Sequence, residues 1–296
     1  MGRNPDPARG GVWPFEAPHF VEHVDRALEA EADAGYDEGA PRGAEAPERR
    51  VPRRPVSRAR GERPPRLGRV VDTFGDRERV VVTLDLEMQH HLERVLRGTV
   101  GEAARFRITN GAGILADPRT GEILAYAGSA NFFDANAGQV DGVQIEREPG
   151  STLKPLLFAE AFEAGFTAAT VVPDIPLDFG GREVYVPGNF NEQYHGPLRV
   201  REALAASLNV PAVYTLKRIS VDRFHRTLVS LGFESLAGER GEVGVSLARG
   251  GAGVTLYELL QGFITLYSDG TAPRLGWRTG VEVARDRHWE PATAAV

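Results

Sequence analysis

Between Glu29 and Arg66 the chain offers a fold almost nothing to bury. An acidic, alanine-rich stretch from Glu29 to Glu48 runs into the proline/arginine tract PRGAEAPERRVPRRPVSRARGERPPR, and residues 1–79 hold half of the 20 prolines. Without apolar periodicity such a segment cannot offset its own ordering entropy, so residues 1–79 read as a linker. One exception is APHFVEHVDRALEAEA, where Phe20, Val24, Ala27 and Leu28 recur at helical spacing behind Pro18, which predicts a short amphipathic helix near 18–32. The folded part is therefore expected over residues 80–296, in a chain of 296 residues whose 42% hydrophobic content supports a sizeable core.

Composition removes several chemistries. The formal charge of −6 supplies no whole-chain attraction for nucleic acid. No cysteine is present, which excludes disulfides, thiol catalysis and cysteine-bound metals. No apolar run is long enough for a membrane span, and the first residues lack the apolar core of a signal peptide. His19, Glu22 and His23 spell H-x-x-E-H, a zinc-binding pattern on one helical face, but no third ligand can be placed; they are read as solvated, and no metal or cofactor is expected. His90, His91, His195, His225 and His288 show no ligand spacing either.

Order is expected from Val80. A β-branched run leads through Asp85, a helix N-cap, into a helix carrying Leu92, Val95 and Leu96 that Gly98 closes. Ala112–Ala116 and Ile123–Ala127 flank the turn residues Asp117, Pro118, Thr120 and Gly121, the pattern of a β-hairpin. Beyond Gly150 helical periodicity dominates, and Thr255 with Glu258 forms a capping box. The fold class is α+β, an antiparallel hairpin followed by a mainly helical region.

Of the 35 basic residues, 33 are arginines and two are lysines, Lys154 and Lys217. Arginine does not release its proton near neutral pH, so chemistry that needs a free amine needs lysine. Lys217 reads as a solvated residue near a helix end. Lys154 lies in EPGSTLKP, three residues after Ser151, and an i, i+3 pair on one helical face brings hydroxyl and amine within hydrogen-bonding reach. A desolvated lysine could then deprotonate the serine. The same residues also fit an N-capping serine beside a solvated lysine. A second cluster, Ser207-Leu208-Asn209, falls in a break before Pro211, with Val210 expected outside helical geometry; it offers a hydroxyl for proton relay and a carboxamide for a substrate amide, or simply turn residues.

Together the strings TLDLEMQ, GILADPRTGEILAYAG, EREPGSTLKP, VPGNFNEQYHGPLRVREALAASLNVPAV and GGAGVTLYELLQGFITLYSDG resemble, in order, the transpeptidase domain of the bifunctional class A penicillin-binding proteins, most nearly their 1C group. The likeness runs over roughly residues 80–275, and WPFEAPHFVEHV is similar to the segment that joins the glycosyltransferase and transpeptidase domains in that group. The resemblance implies a partial penicillin-binding/β-lactamase-like fold. It also implies a D,D-transpeptidase that crosslinks peptidoglycan stem peptides on the periplasmic side of the inner membrane. The parent would be membrane-anchored, with β-lactams as covalent inhibitors and cell-wall synthesis proteins as partners. By position Ser151 is the nucleophile, Lys154 its base, Ser207 the proton relay and Asn209 the holder of the substrate amide.

The family's third motif, Lys-Thr-Gly, is absent from this sequence; Arg278-Thr279-Gly280 comes soon after the SDG turn, well before the family's position for it. The expectation is a C-terminally truncated domain that keeps only the N-terminal hairpin of the central sheet, lacks the upstream anchor and glycosyltransferase domain, and has reduced stability and low or no turnover. Competing readings are a D,D-carboxypeptidase or β-lactamase, in which water resolves the acyl-enzyme, and a non-catalytic scaffold module.

Overall fold

A computed structural model describes residues 17–34, 69–71, 80–178, 186–238, 244–278 and 285–294. The proline/arginine tract lies outside the described residues. Helix α1 (Pro18–Ala34) is followed by strands β1 (Arg69–Val71) and β2 (Val80–Val82), paired antiparallel with Val70 opposite Val81. Then come α2 (Leu86–Ala103) and the hairpin β3 (Gly113–Ala116) and β4 (Ile123–Ala127). Asp85 caps α2 by accepting from Met88 N at 3.1 Å. Gly98 does not end this helix, which continues to Ala103. A glycine inside a helix costs only about 1 kcal/mol, and the helix-forming residues around it outweigh that.

In the hairpin turn Asp117 N donates to Glu122 O at 2.9 Å and Gly121 N to Asp117 O at 2.8 Å, with Gly121 in the left-handed region at φ +76°. The outer edge of β4 is covered by side chains as well as backbone. Gln89, only 1% exposed on α2, accepts from Tyr126 N at 2.8 Å and donates to Tyr126 O at 3.0 Å, completing the strand edge as a neighbouring strand would. Thr83 Oγ1 donates to Ile123 O at 2.6 Å, and Asp85 N to Leu124 O at 2.9 Å. Helix α1 joins this layer: Phe20, Val21 and Val24 pack with Val82, Ile123, Tyr126, Val143 and Trp277. The helix expected within a linker is therefore part of a core, because its apolar stripe has a hairpin to cover.

The helical layer is built on α3 (Lys154–Glu163), around which lie β5 (Val171–Asp174), β6 (Gly196–Arg199), α4 (Val200–Ala205), α5 (Asn209–Ile219), α6 (Val221–Ser230) and α7 (Leu256–Tyr267). The end of the chain adds β7 (Thr271–Pro273), β8 (Arg285–Arg287) and the single turn α8 (Pro291–Ala294). Lys154 and every residue from Leu156 to Ala161 are buried, so α3 is packed on all sides. Leu156, Leu157 and Phe158 are fully buried, each contributing about 1.5–3 kcal/mol. Among the described residues, strands pair as four antiparallel two-stranded ladders. Trp277 O accepts from Thr83 N at 2.9 Å, and Arg278 bridges Val82; Thr279 and Gly280 lie outside the described residues. The Thr255–Glu258 capping box is present, and the buried Glu258 carboxylate also accepts from Ser235 N and Oγ, at 2.9 and 2.8 Å.

The H-x-x-E-H histidines are not solvated. His19 is 3% exposed, set edge-on to Phe132, and His23 stacks on the Tyr126 ring at 5.2 Å. Both lie on the face of α1 that docks on the hairpin, where burial lowers their affinity for a proton. Among the described residues no group of three or more His, Asp or Glu side chains could hold a metal ion.

Candidate active site

Two backbone breaks face each other across the N-terminus of α3. At the first, Gly150 takes φ +59°, residues Gly150–Leu153 form a 3₁₀ turn, and α3 starts at Lys154. Gly250, at φ +72°, lies directly on Gly150, so close that a Cβ there would collide with the Gly150 backbone. Only glycine permits both that approach and that conformation. Arg147 and Val254 pair through two backbone hydrogen bonds, N to O at 2.9 and 3.0 Å, which tie the two strands of chain together. Ser151 is exposed on the turn.

At the second break Ser207 has φ +52°, and α5 begins at Asn209. Val210 is helical, contrary to the expectation drawn from Pro211. In the first turn of a helix proline lacks no needed amide, and the preceding residue tolerates the geometry.

Lys154 spans the gap between these breaks. It is 1% exposed, and its Nζ donates to Ser207 O at 2.6 Å and Asn209 Oδ1 at 2.8 Å, with Ser207 Oγ at 3.4 Å. Burial first, and the Arg249 guanidinium second, pull its pKa from 10.5 down to about 8. A neutral amine has two hydrogens and one lone pair. The two short bonds use both hydrogens and leave the lone pair to take a proton from a hydroxyl. The structure thus brings Lys154, Ser207 and Asn209 together. The Lys154 N–H donates to Ser151 O, but Ser151 Oγ makes no hydrogen bond to Lys154 Nζ, contrary to the i, i+3 expectation, because the amine is taken by the two oxygens of the facing loop.

Three further residues hold that loop, and nothing in the sequence pattern gives them a role. Asp174, 0% exposed at the end of β5, accepts from His195 N at 2.9 Å and from Asn189 Nδ2 at 2.7 Å, while its Oδ2 lies 2.7 Å from His195 Nδ1. Asn189, 5% exposed, accepts from Asn209 N at 2.8 Å. Asn209 Nδ2 donates to Gly188 O at 2.9 Å. The string VPGNFNEQYHG contains Asn189 and His195, but neither periodicity nor spacing distinguishes them.

This arrangement of a serine turn, a buried lysine and a Ser-x-Asn loop coincides with a family match. The family described as "Penicillin binding protein transpeptidase domain" matches residues 111–280, more than half of the chain. The chain belongs to that family. This transpeptidase domain is 31% identical over 200 residues to penicillin-binding protein 1C of Escherichia coli, a match that covers 67% of this chain and 25% of the relative. It is 33% identical over 151 residues to penicillin-binding protein 1A of Pseudomonas aeruginosa, covering 49% of this chain and 18% of that protein. The chain therefore spans about a quarter or less of the length of these curated relatives. Among solved structures, the penicillin-binding protein PonA1 of Mycobacterium tuberculosis aligns with a TM-score of 0.58 at 20% identity, covering 73% of this chain and 60% of that one. Penicillin-binding protein 1A of Haemophilus influenzae aligns with a TM-score of 0.52 at 24% identity, covering 57% and 25%. These structural likenesses establish the transpeptidase fold expected from the sequence.

Proposed function

We propose that this domain is a serine D,D-transpeptidase that crosslinks peptidoglycan stem peptides through an acyl-enzyme. The observation that carries the reading is the buried Lys154 amine, held by Ser207 O and Asn209 Oδ1 next to the turn that presents Ser151. In the first half-reaction Ser151 Oγ bonds to the carbonyl carbon between the two terminal D-alanines. Lys154 takes the serine proton. The C–N bond breaks, Ser207 passes its proton to the departing amine and takes the one held by Lys154 in its place, and D-alanine leaves. An amine of a second stem peptide then attacks the ester, losing a proton to Lys154, the C–O bond to Ser151 breaks, and Lys154 returns the proton to Ser151 Oγ. Asn209 has one Nδ2 hydrogen beyond its bond to Gly188 O, available to the substrate amide. No cofactor enters these steps. A β-lactam would open its ring on Ser151 and stay attached. By its family the domain would work on the periplasmic side of the inner membrane as part of an anchored protein; among the described residues no helix is long and apolar enough to cross a membrane.

The test is intact mass after incubation with benzylpenicillin, beside a Ser151→Ala control and circular dichroism of both proteins. An added mass of one whole penicillin, lost in the control, supports the reading. A folded chain that takes up none overturns it. Supplying a D-Ala-D-Ala peptide with an amine acceptor then separates transpeptidase from carboxypeptidase, since only the former transfers the acyl group to the amine.

A further inference from the structure

Lys154 depends on a loop that is itself held from outside the site. The Ser207–Asn209 segment begins at a left-handed residue, is tied to α4 by Ser207 N to Leu204 O and Leu208 N to Ala203 O, each at 3.0 Å, and ends at the first residue of α5. What meets its last N–H, that of Asn209, is the Asn189 carboxamide. All four hydrogen-bonding positions of that group are used: Nδ2 donates to Asp174 Oδ1 at 2.7 Å and Gln193 O at 2.8 Å, and Oδ1 accepts from Asn209 N at 2.8 Å and Val210 N at 3.5 Å. A flipped amide would set its NH₂ against two N–H donors and its oxygen against a carboxylate, so the orientation is fixed. Asp174 is fixed in turn. It pairs with Gly196 in the β5–β6 ladder, whose Val172 packs against Phe158 of α3 with Val200 and Ala203. Both Lys154 and its acceptors are thus referred back to the same central helix, one by covalent continuity and the other through Asp174 and Asn189.

We infer that Asp174 and Asn189 are positioning residues that hold the Ser207–Asn209 loop against Lys154, and that the geometry of the base depends on this buried carboxylate–carboxamide couple. The inference rests on reading Lys154 as the base. Without the couple the loop drifts, its two acceptors leave Nζ, water enters, and the burial that keeps Lys154 easily deprotonated is relieved. His195 completes the couple by giving Asp174 two of its contacts.

The composition supplies a direct readout, because the whole chain holds two lysines, Lys154 and Lys217. Uniform labelling with ¹³Cε-lysine gives two resonances, which Lys217→Arg assigns, and a pH titration by NMR follows Lys154 without any need for turnover. In Asn189→Ala the midpoint of the Lys154 titration is expected to rise by about one pH unit or more. The isosteric Asp174→Asn, which keeps the packing, is expected to move it the same way by less, and it carries the test if circular dichroism shows Asn189→Ala unfolded. Penicillin acylation at pH 7 falls in step, roughly tenfold for every pH unit by which the midpoint rises. A Lys154 titration unmoved in the folded variants overturns the inference, whatever happens to the rate. A wild-type protein that forms no adduct, yet whose Lys154 moves on Asn189→Ala, would sink the acyl-enzyme reading and keep the positioning role.

Discussion

If Lys154 is the base, the acylation rate must follow its deprotonation. At pH 7 a lysine with the ordinary value of 10.5 is a free amine about once in 3,000 molecules, and one at about 8 about once in ten. The site therefore raises the reactive fraction roughly 300-fold. The second-order rate of labelling by a fluorescent penicillin, measured from pH 6 to 10, is expected to climb about tenfold per pH unit up to pH 8 and then level. Lys154→Arg retains charge but gives up no proton, so it abolishes the limb. Arg249→Gln moves the limb to higher pH, by less than burial lowers it, because the guanidinium is the smaller of the two causes that ease deprotonation and burial remains; labelling of both proteins side by side checks it. Stability carries the same signature with a definite sign. Between pH 8 and 10.5 the unfolded chain binds a proton that the folded chain does not, so this group makes stability rise with pH, by about 3 kcal/mol in all. Below pH 8 both states are protonated and the cost of burial is fully felt. Tyr126 and Tyr257, both raised by burial, oppose the trend above pH 10, so the comparison is with Lys154→Met at each pH. A rate flat from pH 6 to 9, or a midpoint near 10.5, would refute the reasoning.

Asn209→Asp retains the shape of the carboxamide but puts a carboxylate 2.8 Å from Nζ; the labelling limb is expected to move to higher pH and acylation at pH 7 to fall at least tenfold, and an unmoved profile counts against Asn209 as the amine's partner. Gly250→Ala drives a methyl group into the Gly150 backbone at a left-handed position, so urea denaturation should show a loss of about 2–4 kcal/mol together with slower acylation, and unchanged values would mean that the contact between the two glycines is not needed. On acidification below pH 6.5, His19 and His23 must either stay neutral or gain protons beside Arg26, with Asp141 the nearest carboxylate and Glu22 and Asp25 on their own helix. Their lowered proton affinity means that stability present above pH 6.5 is lost as the pH falls. Hydrogen exchange in residues 17–34 should therefore accelerate between pH 7 and 5 more than in α3, once corrected for intrinsic rates; equal protection would show that the histidines do not gate the docking of α1.

Local chemistry is readable in the sequence where it repeats or punctuates. The hairpin turn at Asp117–Gly121, the capping box at Thr255 and Glu258, and the apolar run of α3 each follow from neighbours a few residues apart. Scarcity singles out Lys154, since an arginine-rich chain has little other reason to place a lysine there. Long-range contacts are not readable. Gly150 meets Gly250 and Asn189 meets Asn209, pairings set by how helices and hairpins close on one another, and no period in the sequence encodes them. The burial of His19 and His23 escapes the sequence for a related reason: the proline-rich surroundings of α1 suggest a linker, whereas its apolar stripe has a hairpin to cover.

The two polar side chains on the buried faces of α3 show how one helix holds groups for different ends. Glu160 is given full compensation: Arg223 as a counter-charge and the Trp289 indole N–H at 3.1 Å, which tie α3 to α6 and to the end of the chain. A carboxylate so answered is occupied by its partners, and it fastens the structure. Lys154 stands on the same helix, nearly two turns away and buried like it, yet among the described residues no carboxylate pairs with it. Its partners are a backbone carbonyl and a carboxamide oxygen, with a guanidinium near enough to repel. Neutral acceptors orient the amine without stabilising the proton's charge as an anion would, and the nearby cation works against that charge. The same interior thus makes a structural tie of one side chain and a loosely protonated amine of the other. What separates them is the choice of partner, and the partner of Lys154 is fixed by the Asp174–Asn189 couple that holds the loop in place.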